Sequence, residues 1–237
     1  MWYKKKELTS VISNLEEFLK KHFYKMRSDL LHPYVGVKIK SFLKTIDFIE
    51  QNLPNAVVCN NRNEVFNYAL KHLQPSGLIA EFGVKSGTTI NQLSIKPAIK
   101  KKIIYGFDSF SGIPDDWHGT KTLQGQLSNQ GKLPKVNKNV MLIKGWFKDT
   151  LPEFLTQHSE NFALIHIDCD IYQSTKDIFD NIGDRLVSGS IIIFDEFFNY
   201  PNWQNHEFKA LQEFIQSSGK EIKYLCYAHT QIAIKIM

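Results

Sequence analysis

Three short apolar runs in this chain end directly in acid or glycine, and that pattern restricts the fold more than any other feature. Ala163-Leu-Ile-His-Ile167 leads into Asp168-Cys169-Asp170, and Ser190-Ile-Ile-Ile-Phe194 into Asp195-Glu196. Upstream, Leu78-Ile-Ala-Glu-Phe-Gly83 continues as Val-Lys-Ser-Gly87. Short continuous apolar runs read as buried strands of a parallel sheet. In open α/β sheets the crevice beyond the carboxyl ends of the strands is where ligands bind. Polar residues at these ends therefore face a site.

The segment from residue 77 onward alternates between the two patterns. Strands are expected at 78–83, 102–107, 139–143, 162–168 and 189–195, and helices at 87–98, 150–158, 173–187 and 205–219. Two final strands, 222–228 and 231–236, are separated by His229-Thr230 and pair as a hairpin. The sum is an α/β, mostly parallel, seven-stranded Rossmann-like sheet with a C-terminal antiparallel hairpin. Upstream, apolar residues recur at helical spacing over 7–26 and 37–53, the latter ending before Pro54. A third helix, 62–74, follows Asn60-Asn61 and stops at Pro75-Ser-Gly77. Residues 1–60 are thus read as a helical extension and 61–237 as the main domain. The extension could serve as a dimer arm, a lid or a wall of an acceptor pocket, and a homodimer stays open. Residues 109–138 carry several glycines and prolines without periodicity, which suits a lid whose Phe110, Ile113 and Trp117 close over a ligand.

Composition excludes several classes. No apolar run approaches the ~20 residues needed to cross a bilayer. The Met-Trp-Tyr-Lys-Lys-Lys start lacks the apolar core of a signal peptide. The net charge of +5 lies largely on expected helix faces of the first fifty residues, and no nucleic-acid module is evident. Cys59, Cys169 and Cys226 are scattered and in no metal-ligand spacing, so a reducing cytoplasm is the expected setting.

The loop Glu81-Phe82-Gly83-Val84-Lys85-Ser86-Gly87-Thr88-Thr89 joins a strand to a helix whose first N–H groups are free. It is neither the glycine fingerprint of dinucleotide enzymes nor a phosphate-binding Walker loop. An acid before the first glycine disfavours a pyrophosphate and suits the cationic end of S-adenosylmethionine (SAM). Asp108, followed by Ser109, ends the next strand, where an acid can accept hydrogen bonds from ribose hydroxyls; a cap or turn is the competing role. Gly145-Trp146-Phe147 after the third strand could frame an adenine, although Trp146 also suits a core.

Asp168 and Asp170 face one way if the chain is extended there. With Asp195 and Glu196 they would repel one another unless a cation neutralises them. Oxygen ligands alone favour Mg²⁺, with Mn²⁺ or Ca²⁺ as substitutes. Such an ion would hold an acceptor hydroxyl, while a carboxylate outside its shell takes the proton. Asp170 or Ser174 could instead cap the next helix. Phe197-Phe-Asn-Tyr-Pro-Asn-Trp-Gln-Asn-His206 is placed to line an acceptor pocket, through Asn199, Tyr200, Trp203 and His206, with Tyr172 and Glu207 as further candidates. His206 is a second candidate base, and His166, inside a strand, reads as a satisfied core histidine.

With these residues in place, the chain resembles class I SAM-dependent methyltransferases and, within them, the macrocin O-methyltransferase group, which methylates sugar hydroxyls using Mg²⁺. The resemblance covers roughly residues 60–237. It rests on Glu81 to Thr89, Tyr105-Gly-Phe-Asp-Ser-Phe-Ser-Gly-Ile-Pro114, Gly145-Trp-Phe-Lys-Asp-Thr-Leu-Pro152, His166-Ile-Asp-Cys-Asp-Ile-Tyr-Gln-Ser-Thr175 and Phe194-Asp-Glu-Phe197. It implies Asp168, Asp195 and Glu196 as metal ligands and Asp170 as general base. It also implies a cofactor site at Glu81, Phe82, Gly83, Ser86, Gly87, Thr88, Asp108, Ser109, Gly145, Trp146, Phe147 and Asp168. That group often has two aspartates where this chain has Asp195-Glu196. The expected partner is a small-molecule or glycan acceptor. A phenolic or catechol acceptor, or SAM binding without catalysis, are the rival readings.

Overall fold

The computed structural model describes residues 32–237 continuously, together with Ser13, Asn14, Glu17, Phe18 and Lys21. The expected helix over 7–26 lies outside the described residues except at those five positions. Helix α1, Pro33–Asn52, begins before the expected 37. His32 Nδ1 accepts the Tyr34 amide hydrogen at 3.1 Å, and Pro33 occupies a first-turn position where an N–H is dispensable. Strand β1, Val57–Val58, follows, and then α2, Arg62–Ala69. Asn61 caps α2 by accepting the Glu64 amide hydrogen (3.1 Å), while the Glu64 carboxylate accepts that of Asn60 (2.9 Å). This reciprocal cap makes Arg62 the first residue of the helix.

The remaining elements are β2 Leu78–Phe82, α3 Thr88–Ser94, β3 Ile104–Asp108, β4 Val140–Lys144, α4 Phe147–Gln157, β5 Phe162–Ile167, α5 Tyr172–Ile182, β6 Ile191–Phe194, α6 Glu207–Ser218, β7 Ile222–Tyr227 and β8 Ile232–Ile236. They form one sheet in the order β1-β7-β8-β6-β5-β2-β3-β4. Every pairing is parallel except those of β8 with β6 and β7, as the terminal hairpin requires. Among the described residues the sheet has eight strands. The one beyond the expected seven is β1, two residues long and so without periodicity to read. It pairs Val57 with Cys226 of β7, so the boundary at residue 60 does not separate the extension from the sheet.

The strands are buried on both faces. Ile165, Ile167, Ile192 and Phe194 join one core with α4, α5 and α6, and the alternate residues Leu164, Ile191 and Ile193 join another with α2 and α3. Each fully buried Ile or Phe stabilises the fold by roughly 1.5–3 kcal/mol. Helix α1 belongs to the first of these cores. The Phe48 ring lies 6.0 Å from Phe197, 5.8 Å from Trp203 and 5.4 Å from Phe208. Trp203, 2% exposed, and Phe197 are therefore core residues. Among the described residues no helix is long and apolar enough to cross a membrane.

The chain leaves β2 toward β3, whereas β5 lies on the other side of β2, so a topological switch point opens between β2 and β5. Over it lies the long connection after β3. Residues 109–139 contain no helix or strand, but they are pinned. The Ile113 N–H donates to Gln126 O (3.0 Å) and the Gly131 N–H to Phe110 O (2.8 Å). Further out, the His118 carbonyl accepts from Asn202 Nδ2 (3.1 Å) and from His206 Nε2 (2.8 Å), and the Gly119 carbonyl accepts from the Tyr34 hydroxyl (3.2 Å). Ile113 and Trp117 line the pocket beneath, while Phe110, 1% exposed, turns into the core.

Candidate active site

A cavity of about 740 Å³ occupies the switch point, bounded by the ends of β2, β3, β5 and β6 and by the 109–139 connection. Gly83 lines it at a point where two backbones nearly touch. Its φ is +97°, and a Cβ built on it would stand 1.8 Å from the Asp168 carbonyl oxygen. Only glycine fits. The contact is tied by the Asp168 N–H donating to Phe82 O (2.8 Å), which fixes the glycine loop against the first acid.

Of the residues expected to bind a cofactor, Gly83, Ser86, Thr88, Asp108, Ser109, Gly145, Trp146, Phe147 and Asp168 line the cavity. Three do not. Phe82 is fully buried and stacks on Phe107 at 5.1 Å. Gly87 caps α3 in the left-handed region, against Pro134. Glu81 is fully buried and outside the lining, with its Oε2 3.0 Å from His166 Nδ1 and its Oε1 without a hydrogen-bond partner among the described residues. Asp108 lines the cavity, yet it also organises the loop. Its Oδ2 accepts the amide hydrogens of Val84 (2.8 Å) and Lys85 (2.6 Å), and its Oδ1 that of Phe110 (2.6 Å). Three of about four acceptor positions on a carboxylate are thereby filled, which leaves one for a hydroxyl.

The acids converge as expected, by a different route. The chain is not extended at Asp170: β5 ends at Ile167, and Asp170 has φ +68°. It does not cap α5, whose N-cap is Ile171. Ligand atoms of Asp168, Asp170 and Glu196 lie within 4.8 Å of one another, and so do those of His166, Asp168 and Asp195. Burial, followed by the charge of Asp195, pushes Asp168 well above the usual carboxylate range; burial, followed by Asp168, does the same to Glu196. Burial and Asp195 push Asp170 up to about 7, with Lys85 opposing. Asp195 goes the other way: burial raises it, but His166 and Arg62 outweigh burial and hold it ionised. His166 lies between Glu81 and Asp195, 3.8 Å from Asp195 Oδ1. Burial opposes its charge, yet the two carboxylates push its pKa up to about 10, so it is a cation at neutral pH.

The donor set fits a divalent ion. Glu196 Oε2 is buried without a hydrogen-bond partner among the described residues, and Asp195 Oδ1 has no hydrogen bond there, only the His166 ring at 3.8 Å. Unpaired buried carboxylate oxygens are costly, and a hard cation satisfies them. Glu207 is a further buried acid, fully enclosed with both oxygens unpartnered among the described residues. Burial, then Asp170 and Asp168, push it well above its ordinary value, so the neutral form is favoured behind the site.

The segment after Glu196 does not line the cavity. His206 is 4% exposed and spent on the His118 carbonyl, which removes it as a base and makes it a clasp for the overlying connection. Tyr172 donates its hydroxyl to Glu213 (2.6 Å). Asn199 and Tyr200 line a separate shallow cleft with Tyr34 and Lys38 of α1. Arg62 is a cavity residue that the sequence did not single out, and Lys85 and Thr89, quoted only as part of the glycine loop, line the cavity as well. Arg62 reaches in from the start of α2 and pairs with Asp195 through Nη2, while its Nη1 donates to Thr89 Oγ1 at 3.2 Å. The one signal for it was scarcity, since Arg62 is one of three arginines among 29 basic residues.

A glycine loop at the switch point facing strand-end acids is the architecture of class I methyltransferases. Calicheamicin methyltransferase CalS11 shares the fold with a TM-score of 0.56 at 23% identity, over 73% of this chain and 76% of that one. The O-methyltransferase NovP does so with a TM-score of 0.53 at 18% identity, over the same shares. Residues 59–228 match the description of the macrocin O-methyltransferase (TylF) family, and the chain belongs to that family. Among its relatives are the mycinamicin III 3''-O-methyltransferase of Micromonospora griseorubida, 29% identical over 58% of this chain and 61% of that protein, and an 8-demethyl-8-(2,3-dimethoxy-alpha-L-rhamnosyl)-tetracenomycin-C 4'-O-methyltransferase of Streptomyces olivaceus, 31% identical over 38% of this chain and 40% of that protein. The chain spans about half the length of the relatives it matches.

Proposed function

We propose that this protein transfers the methyl group of SAM to a hydroxyl of a sugar or glycoside, assisted by a divalent cation at the strand-end acids. The observation that carries this reading is the convergence of the four acids Asp168, Asp170, Asp195 and Glu196 on the cavity that the glycine loop also lines. SAM supplies an electrophilic methyl carbon, and a bound Mg²⁺ supplies the charge that holds an acceptor hydroxyl and lowers its pKa. The chain's own contribution is placement. Asp108 holds the Val84 and Lys85 amides in the turn that faces the cofactor. Asp168 and Glu196, with Asp195 beside them, would hold the cation. Ile113 and Trp117 cover the cavity and exclude water. Methyl transfer requires in-line approach to carbon, so orientation supplies much of the rate.

Asp170 is the proposed base. Without a cation, burial and Asp195 push its carboxyl up to about 7, Lys85 favours its ionised form, and the side chain lines the cavity where an acceptor hydroxyl would lie. The cavity is bordered by charged and hydroxyl side chains and also by the apolar Ile113, Trp117, Trp146 and Phe147, so the choice of a sugar over a phenol rests on the sugar-directed relatives of the family. Asp170→Asn is expected to lower turnover by roughly 10²–10⁴-fold. SAM and Mn²⁺ affinities, measured by calorimetry, should stay within a few-fold of the parent. Unchanged turnover on a hydroxylated glycoside acceptor would place the base elsewhere.

A further inference from the structure

Asp195 carries an unusual load for a metal ligand. It is fully buried, yet two basic side chains already face it: Arg62 pairs with its Oδ2, and the His166 ring stands 3.8 Å from its Oδ1. The two are held very differently. His166 is fully buried and anchored on its far side by Glu81. Arg62 has a side chain 36% exposed, sits at the first position of a helix, and has the neutral Thr89 hydroxyl as its other partner. Its Nε is buried without a hydrogen-bond partner among the described residues, so the guanidinium uses only part of its donor fork here. A guanidinium stays charged at any accessible pH and cannot leave by losing a proton. It can leave by swinging out.

We propose that Arg62 is the resident counter-ion of the acid site and that a divalent cation displaces it from Asp195. This inference rests on the metal reading of the site. While the cation is absent, Arg62 neutralises an acid that burial would otherwise make costly. When the cation arrives, one positive partner of Asp195 replaces another, so the guanidinium weakens metal binding by direct competition and by charge repulsion across a buried site. Arg62 is thus a positioning residue that tunes metal affinity. A merely structural arginine, one that orients Asp195 for the metal, would do the reverse: its removal would weaken binding.

The test is Mn²⁺ titration of the full chain by calorimetry, for the parent, Arg62→Met, Arg62→Lys and Asp168→Asn. Displacement predicts that Arg62→Met binds Mn²⁺ at least about tenfold more tightly than the parent, within the range by which neighbours of ligands alter metal affinity. Arg62→Lys should fall between them, and Mn²⁺ should raise the Tm of Arg62→Met more than that of the parent. Equal or weaker binding by Arg62→Met, with the parent binding and Asp168→Asn failing to, overturns the displacement and leaves the metal reading intact. No binding by either the parent or Arg62→Met overturns both. A second measurement needs no variant that removes the charge. With three arginines in the chain, the Nε–H resonances of the parent are few, and Arg62→Lys assigns the one of interest. Mg²⁺ should shift that resonance and speed its exchange with water; an unmoved signal at saturating Mg²⁺ refutes the proposal.

Discussion

Asp168→Asn is expected to abolish methyl transfer while leaving SAM binding within a few-fold of the parent. A metal-held hydroxyl is worth several kcal/mol of transition-state charge stabilisation, and each ~1.4 kcal/mol is a factor of ten, so the loss should be roughly 10³-fold or more. The substitution keeps the side-chain volume and the Asp168 N–H bond to Phe82 O, which is what seats the glycine loop. It also removes a charge that burial and Asp195 disfavour. The folded-state pKa of Asp168 lies above its unfolded value, so ionised Asp168 opposes folding at neutral pH. The Tm of Asp168→Asn should therefore equal or exceed that of the parent. Activity by methyl transfer from labelled SAM, affinity by calorimetry and Tm by differential scanning separate the outcomes. Equal loss of turnover, SAM binding and stability would mean that Asp168 is a structural residue.

Gly83→Ala is expected to be among the most destabilising single substitutions in the chain. The added methyl carbon would lie 1.8 Å from the Asp168 carbonyl oxygen and 2.6 Å from its carbon, both backbone atoms that cannot swing aside. A left-handed φ of +97° adds strain for any L side chain. Relief requires β2 and β5 to part at the switch point, at a cost of at least about 3 kcal/mol, or roughly 6–12 °C in Tm for a chain of this size. Gly125→Ala is the control. Its φ is +77°, but nothing lies within 4 Å of the added carbon, so only the backbone cost of about 1–2 kcal/mol applies. Similar Tm losses for the two would mean that the close approach at Gly83 carries no weight.

Much of the fold was legible because burial leaves a periodic trace. The runs around Ile165 and Ile192 feed two cores at once, and continuous apolar strands are what a doubly covered sheet demands. The site acids were legible for the same reason, since a carboxylate at the end of such a strand has nowhere to go but the crevice. Periodicity is silent about polar partners, which tertiary packing sets. Nothing near Glu81 in the chain announces that His166 takes it, 85 residues away. Nothing near Asp108 announces that its carboxylate closes on the amides of Val84 and Lys85. His206 looked like a base because its segment follows Asp195-Glu196 directly, and the 109–139 connection claims it instead. Asp170 reaches its place through a left-handed backbone that no alternation rule anticipates. Strand β1 offered two residues, too few for any pattern.

The claim beneath all of this is that the switch-point cavity holds SAM. The most direct test is calorimetric titration of the purified chain with SAM, in Mg²⁺ and again in EDTA, with NAD⁺ as the control ligand. The account predicts saturable micromolar binding of SAM in Mg²⁺ and no heat with NAD⁺. No SAM binding in either condition would contradict it, leaving a buried acid cluster beside a glycine loop that serves some other ligand.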